Sequence, residues 1–254
     1  MPLAGGFRMP TLTPEAPVPN FRRFSEHPDN PFRLGRHQMH DLLDAEREAF
    51  LFLDRYLPIQ SVNHQEFEPV WDQGSIGDCT MNAAYGCLVT APFGQAGVSY
   101  TEADVLAGYE LETQLDNSQI PGSYPPDDTG SSGPWSMMAL EKLGKIASYV
   151  HTRDTHTALR LLNRGPISIG VTWYQSMFTL GPGDTIVVDE ESGVAGGHQV
   201  CVVANDVAGQ RVRIRNSWGA SWGDEGHAWL SWVDLDFLLH EGGEAVQPVM
   251  AEGA

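Results

Sequence analysis

Asn216-Ser-Trp-Gly-Ala-Ser-Trp-Gly-Asp-Glu-Gly226 is the stretch on which the reading of this chain turns. It gains meaning from two segments upstream, Gln73-Gly-Ser-Ile-Gly-Asp-Cys79 and Gly196-Gly-His198. Together the three supply a thiol at Cys79, an imidazole at His198, an amide at Asn216 that can orient the imidazole, and a second amide at Gln73 that can donate to an oxyanion. Those are the parts needed for covalent acyl transfer by cysteine.

Local structure places these parts where such chemistry needs them. Met81, Ala84, Tyr85 and Leu88 recur at helical spacing, so a helix with one buried face is expected after Asp78. Asp78 is positioned as its N-cap, which puts Cys79 in the first turn, where the helix dipole lowers a thiol's pKa. Gly74 and Gly77 let the preceding loop turn sharply and bring backbone N–H groups close to the sulfur. Further helices are expected from a cap at Ser99-Tyr-Thr-Glu102 to about Leu111, from Pro134 to Leu143 with Gly144 as its stop, and from a cap at Asp154 to Leu162. From Ile167 the period changes to two, and strands are expected over 167–172, 185–189, 198–205, 211–217 and 227–232. The chain is helical first and β-rich afterwards, an α+β arrangement. If the strands carrying His198 and Asn216 are antiparallel neighbours, the amide can bond the imidazole. Gly196 and Gly197, lacking Cβ atoms, would let a substrate backbone approach beside it.

Taken together, the Gln-Gly-x-x-Gly-x-Cys segment, Gly-Gly-His and Asn-Ser-Trp-Gly-x-x-Trp-Gly-x-x-Gly resemble the papain-like cysteine peptidases. Gly133-Pro-Trp-Ser136 is similar to the substrate-pocket segment of that family, and Gly165-Pro-Ile-Ser-Ile-Gly170 to the strand that opens its β lobe. The resemblance covers about residues 65–232. It implies a two-lobed fold, with a helical lobe and an antiparallel β-rich lobe on either side of an active-site cleft. It implies Cys79 as nucleophile, His198 as acid/base, Asn216 as its orienter and Gln73 as oxyanion donor. Ser131, Ser132, Gly133, Pro134, Gly196, Gly197 and Trp218 become candidates for substrate contact. Trp218 would also shield the His198–Asn216 bond, with Trp222 packed behind it. No cofactor and no metal are implied.

Departures from the family pattern set this chain apart. Ile76 stands where secreted plant and lysosomal members carry a disulfide cysteine. Thr80 replaces the usual tryptophan after the nucleophile, and Asp78 puts a carboxylate before it, which should oppose thiolate formation. These features are closer to bacterial and phage members. Gly133 replaces a bulky aromatic in the pocket for the second residue before the cut, leaving that pocket's preference open.

Of the 254 residues, 41% are hydrophobic and 19% charged, as in an ordinary globular protein. The net charge of −18 argues against nucleic acid as a partner and favours cationic substrates by long-range steering. Cys79, Cys87 and Cys201 form no disulfide framework and no Cys-x-x-Cys pair, and the latter two are expected in the core. The N-terminus lacks a secretory pattern and no apolar run spans a bilayer, so a cytoplasmic protein is expected, or a virion-associated one if phage-encoded.

Residues 1–50 read as a largely irregular, proline-rich arm, and 51–254 as the catalytic domain. Its helical lobe is set at about 71–162 and its β lobe at about 163–254, with 51–70 packed on the latter. Within this N-terminal region 41–56 favours a helix by propensity. His37 and His40 flank Gln38-Met39, a spacing compatible with a metal pair but read as surface histidines. Residues 1–65 lack the charged helical motif of the family's inhibitory pro-segments, so the arm is expected to be a permanent part of the fold or a docking element for a partner. The expected activity is peptide-bond hydrolysis through a Cys79 acyl-enzyme. A peptide-binding or assembly protein with little turnover, and a cysteine-dependent transamidase, remain open alternatives.

Overall fold

The computed structural model describes residues 29–38, 57–116, 120 and 122–251. The helix expected over 41–56, and His40, lie outside these residues. Among the described residues the first helix is α1 (Cys79–Leu88), which follows Asp78 as expected, but all ten of its residues are buried. The reason is packing on two sides. Met81, Ala84, Tyr85 and Leu88 join Val105, Tyr109, Met137 and Leu140 in one apolar cluster, while Cys87 meets Cys201 and Val203 on the opposite side. Gly86 makes that second approach possible, since a Cβ there would lie 3.0 Å from Cys201 Cβ.

Helix α2 (Glu102–Leu115) begins later than its sequence signal implied. Its capping box is Thr101 with Asp104, in which Asp104 N–H donates to Thr101 Oγ1 at 3.3 Å and Thr101 N–H donates to Asp104 Oδ2 at 2.7 Å. Helix α3 (Gly133–Lys142) carries Pro134 in its first turn and ends before Gly144, whose φ of +68° suits glycine. Helix α4 (Thr155–Leu161) is capped by Asp154, which accepts from Thr157 N–H at 2.7 Å.

The strands are β1 (Val62–Asn63), β2 (Ser148–Thr152), β3 (Ile167–Tyr174), β4 (Leu180–Gly181), β5 (Thr185–Ile186), β6 (Val194–Asp206), β7 (Arg211–Arg215), β8 (His227–Ser231) and β9 (Glu244–Val249). Among the described residues they form one sheet in the order β2-β9-β3-β6-β7-β8-β5-β4, with β1 paired to β6. All pairings are antiparallel except β5 with β8. Strands β1, β2, β4 and β9 were not foreseen, nor was helix α5 (Trp232–His240), which takes Trp232 from the expected last strand. Strand β9 hides its nature because Pro248, Gln247 and Glu244 interrupt any apolar alternation, although only its last residue is exposed. Ser231 caps α5 by accepting from Asp234 N–H at 3.0 Å.

The long strand β6 is the axis of this arrangement. It pairs with β3 on one side and β7 on the other, and α1 packs against it. The strip 57–70 is tied to the same region by Arg215. Its guanidinium donates to Glu66 Oε2 at 2.7 Å, to Glu68 O at 2.9 Å, and to Pro69 O. Burial alone would raise the Glu66 carboxyl, but hydrogen bonds and charges from His227 and Arg215 hold it below its usual range. Removing the arginine strands that carboxylate. Arg215→Leu is expected to cost about 3 kcal/mol in a denaturant melt, the typical penalty for breaking a buried ion pair. A loss below 0.5 kcal/mol, at the surface-pair level, would contradict this account.

Candidate active site

The strand pairing brings His198 and Asn216 together. His198 sits opposite Val171 on β6, and Asn216 follows the last residue of β7. His198 Nε2 lies 2.8 Å from Asn216 Oδ1, and both residues are buried. Ser217 N–H donates to the same Asn216 atom at 2.8 Å, which identifies that atom as the oxygen. Nε2 therefore carries the proton and donates, leaving the lone pair on Nδ1. Among the described residues Nδ1 has no hydrogen-bond partner. Burial drives the imidazole pKa down to about 4, with the Asn216 bond offsetting only part of the effect. Trp218 stacks on the imidazole at 4.6 Å and 17°, Trp173 meets its edge at 4.9 Å, and Trp222 packs edge-on behind Trp218 at 5.4 Å. The aromatic shell expected from Trp218 and Trp222 is thus present, and Trp173 joins it.

Cys79 opens α1. Ahead of it, Gln73 is buried and held from both ends of its amide. Its Nε2 donates to Ile76 O at 2.8 Å, and its Oε1 accepts from Ser217 Oγ at 2.5 Å. The amide has a second N–H beyond the one used on Ile76. The Gly77 N–H is fixed by the Asp128 carboxylate at 2.9 and 3.1 Å, and Tyr109 OH donates to the same carboxylate at 2.7 Å. Asp78 is the N-cap by position, yet its side chain caps no helix N–H. Burial pushes its carboxyl up to about 7, with Asp128 and Glu102 adding to the rise. Thr80 earns its place by donating to Glu112 Oε2 at 3.0 Å, a carboxyl that burial drives well above its usual range.

The described part of the arm, residues 29–38, lies in the cleft between these segments. Gly35 and Arg36 N–H groups both reach Gly197 O, at 3.2 and 2.9 Å. On the other side Ser131 N–H donates to Gly35 O at 2.9 Å, and His37 N–H to Ser131 O at 2.6 Å. A Cβ on Gly35 would lie 2.0 Å from Gly77 O, so the arm touches the nucleophile's loop as well. Phe32 stacks on Trp218 at 4.3 Å and 6°, Arg33 pairs with Asp128 at 3.1 Å, and Leu34 and Arg36 are buried. His37, read above as a surface histidine, is buried with Nε2 bonded to Thr129 O. The arm thus occupies the ground assigned to substrate: it bonds Ser131 and Gly197 and covers Trp218. Ser132 is buried as N-cap of α3, with Gly133 and Pro134 starting that helix, and Gly196 pairs with Trp173 inside the sheet.

Cys87 and Cys201 lie 3.7 Å apart, sulfur to sulfur, and are buried away from this site, as expected of core thiols. Among the described residues no group of three or more His, Cys, Asp or Glu is placed to hold a metal, and no helix is long and apolar enough to cross a membrane.

The sequence pattern of a family described as papain family cysteine protease matches residues 78–233. No curated protein sequence matches the chain. Among solved structures, Xylellain, a cysteine protease from Xylella fastidiosa, is similar with a TM-score of 0.65 at 18% identity, covering 91% of this chain and 98% of that one. The Amb a 11 cysteine protease of ragweed pollen, in its proform, is similar with a TM-score of 0.53 at 16% identity over 79% of this chain and 70% of that one. Procathepsin L2 from the larval midgut of Tenebrio molitor gives a TM-score of 0.53 at 16% identity, covering 78% and 71% respectively. At these identities the likeness speaks for the fold.

The raised Asp78 carboxyl has a measurable consequence. It titrates near 7 in the folded protein, against about 4 in an unfolded chain. The stability it contributes is therefore full below about pH 4 and lost as the pH rises through about 7. Asp78→Asn should escape that loss. Its melting temperature is expected to gain on the wild type from pH 4 to pH 8, by the equivalent of a few kcal/mol. A difference that stays constant across that range would contradict the assignment.

Proposed function

The chain belongs to the papain family of cysteine proteases and is a cysteine-type peptidase, and from that premise we propose that it cuts peptide bonds through a Cys79 acyl-enzyme. The observation that carries the reading is the buried His198–Asn216 pair, with the imidazole's proton fixed on Nε2 and Nδ1 left without a hydrogen-bond partner among the described residues. Nδ1 takes the Cys79 thiol proton, and the thiolate attacks the substrate carbonyl carbon. The Gln73 side-chain N–H and the Cys79 backbone N–H receive the oxyanion. As the C–N bond breaks, Nδ1 returns its proton to the leaving amine. Water then attacks the thioester, giving a proton to Nδ1, which passes it to the departing sulfur.

Asn216 fixes the tautomer, and the tryptophans around the ring keep water from competing for the bond that does so. The same packing keeps the imidazole neutral at pH 7 while the arm is seated. The seated arm pairs with the backbone of Gly197 and Ser131 and covers Trp218, so peptide hydrolysis requires the arm to leave, and we read residues 29–38 as an internal obstruction of the cleft. The proforms among the similar structures accord with an N-terminal segment of this kind. This role stands beside the expected one of a docking element, and it needs no charged helical motif because the seated segment acts through backbone pairing and a few side chains.

The passage at Gly35 makes the obstruction testable. No side chain fits there, so Gly35→Ala in the full-length chain should unseat the arm while leaving the catalytic groups intact. A cysteine-directed epoxide is expected to label Cys79 at least ten times faster in this variant, with hydrolysis of a peptide library rising in parallel. His198→Ala in the same background should return labelling to the rate of a free thiol, and Cys79→Ala should abolish both signals. Unchanged labelling in a folded Gly35→Ala chain would refute the obstruction. Labelling that survives His198→Ala would refute the proposed base.

A further inference from the structure

Arg36 is one of the buried residues in the described part of the arm. Its backbone is paired to Gly197, beside His198, and its guanidinium is wholly buried. Nη2 donates to Gly242 O at 3.0 Å and lies 3.7 Å from Glu244 Oε1. The Glu244 carboxylate is itself fully buried and is fixed from behind by Gly133 N–H at 3.1 Å. Room for the guanidinium comes from glycine. A Cβ on Gly170 would lie 2.6 Å from Arg36 Nε, and one on Gly133 would lie 3.1 Å from Glu244 Oε1. The replacement of a bulky aromatic by Gly133 thus has a physical meaning here: it opens a path to a buried carboxylate.

The arm fills this pocket without satisfying it. Among the described residues Arg36 Nε and Nη1 make no hydrogen bond, and neither Glu244 Oε2 nor Gln199 Oε1 has a hydrogen-bond partner. His151 Nε2 stands 3.8 Å from Glu244 Oε2, too long for a hydrogen bond. A guanidinium presented more squarely could use these acceptors, since arginine carries five donors in a planar fork and pairs with carboxylates in bidentate fashion. A lysine ammonium, with its three donors around one point, cannot span them.

We propose that this is an arginine pocket of the substrate cleft, with Glu244 as the specificity-determining residue and Arg36 as its resident stand-in. Substrates would then carry an arginine on the amino side of the bond cut, and the arm holds the site with the same side chain. The substrate part of the proposal rests on the peptidase reading above, whereas the pocket itself can be tested without turnover.

Two measurements on the full-length chain separate the two. In Arg36→Gly the pocket is vacated. N-acetyl-arginine methylamide is expected to bind this variant at least tenfold tighter than the leucine analogue by calorimetry, and Glu244→Gln added to it should erase the preference. Should Arg36→Gly not fold, Arg36→Gln serves in its place. Equal binding of the two compounds, or a preference indifferent to Glu244→Gln, would overturn the pocket. In parallel, a positional peptide library cut by the Gly35→Ala chain, whose arm is unseated, should show arginine favoured at least tenfold at one position before the cut, with Glu244→Gln collapsing the arginine-to-leucine ratio. Cleavage indifferent to arginine at every position overturns the proposal whatever the binding result. If no peptide is cut, the peptidase reading fails, and the binding pair alone decides the pocket.

Discussion

The close approach of backbones around Gly35 governs the state in which this protein is held. Gly77 O and Gly197 O flank that residue, and a Cβ on Gly130 would lie 2.1 Å from its carbonyl oxygen. The loop before the nucleophile, the glycines before the base and the strip before α3 therefore all meet one extended segment with no side chain between them. Such contact is possible only because glycine occupies several of the meeting points. The hydrogen bonds made there are ordinary, each contributing about 1 kcal/mol net. Their effect lies in where they are made, because they fill the space in which the thiol and the imidazole would act.

The same closure explains the electrostatics of the site. An imidazole stacked on one tryptophan and edged by another loses water on every side, and burial then disfavours its charged form. Asp78 and Glu112, on either side of the nucleophile along the chain, are pushed the other way by the same cause. Both carboxyls are held toward their neutral forms, so the acidity around Cys79 is weaker than the bare sequence implies. The expected opposition of Asp78 to a thiolate therefore applies chiefly above pH 7. Thr80, in place of the usual tryptophan, finds its partner in Glu112 on the facing helix.

How legible all this was depended on whether the information lay in side chains or in backbone. Helix α1 was visible because apolar residues recur at helical spacing, and the His198–Asn216 bond because a histidine stands on one strand and an amide just past the end of the strand paired with it. The α2 cap was placed two residues early because Ser99 and Thr101 offer the same chemistry, and only the backbone turn decides between them. Strand β9 was missed because its buried polar residues serve other elements: Gln247 donates to Leu161 O and Gly165 O, each at 2.9 Å, while Glu244 serves the pocket. The path of the arm could not be read at all. Its bonds to Gly197 and Ser131 come from backbone groups that every residue possesses, and Arg36 and Glu244 are unexceptional charges at opposite ends of the chain.

The arm also sets the terms on which any peptide enters. A segment of the same chain reaches the cleft at an effective concentration on the order of mM, and a competitor's apparent affinity falls by the fraction of molecules whose cleft is open. Backbone pairing to Gly197 and Ser131 gives no advantage, because every peptide can reproduce it. The Phe32 stack on Trp218 is available to many aromatic residues and is worth about 1 kcal/mol. Arg36 is different, because its removal leaves Glu244 buried with its main counter-charge gone and only the weaker influence of His151 and Arg153 among the described residues' charges. A peptide without a cation must bear that cost, whereas one with an arginine exchanges like for like. The chain's net charge of −18 draws cationic peptides in from a distance, but salt screens that attraction beyond about 8 Å. Discrimination therefore falls to the one pairing that is out of water's reach, between a guanidinium and the carboxylate at the bottom of the pocket.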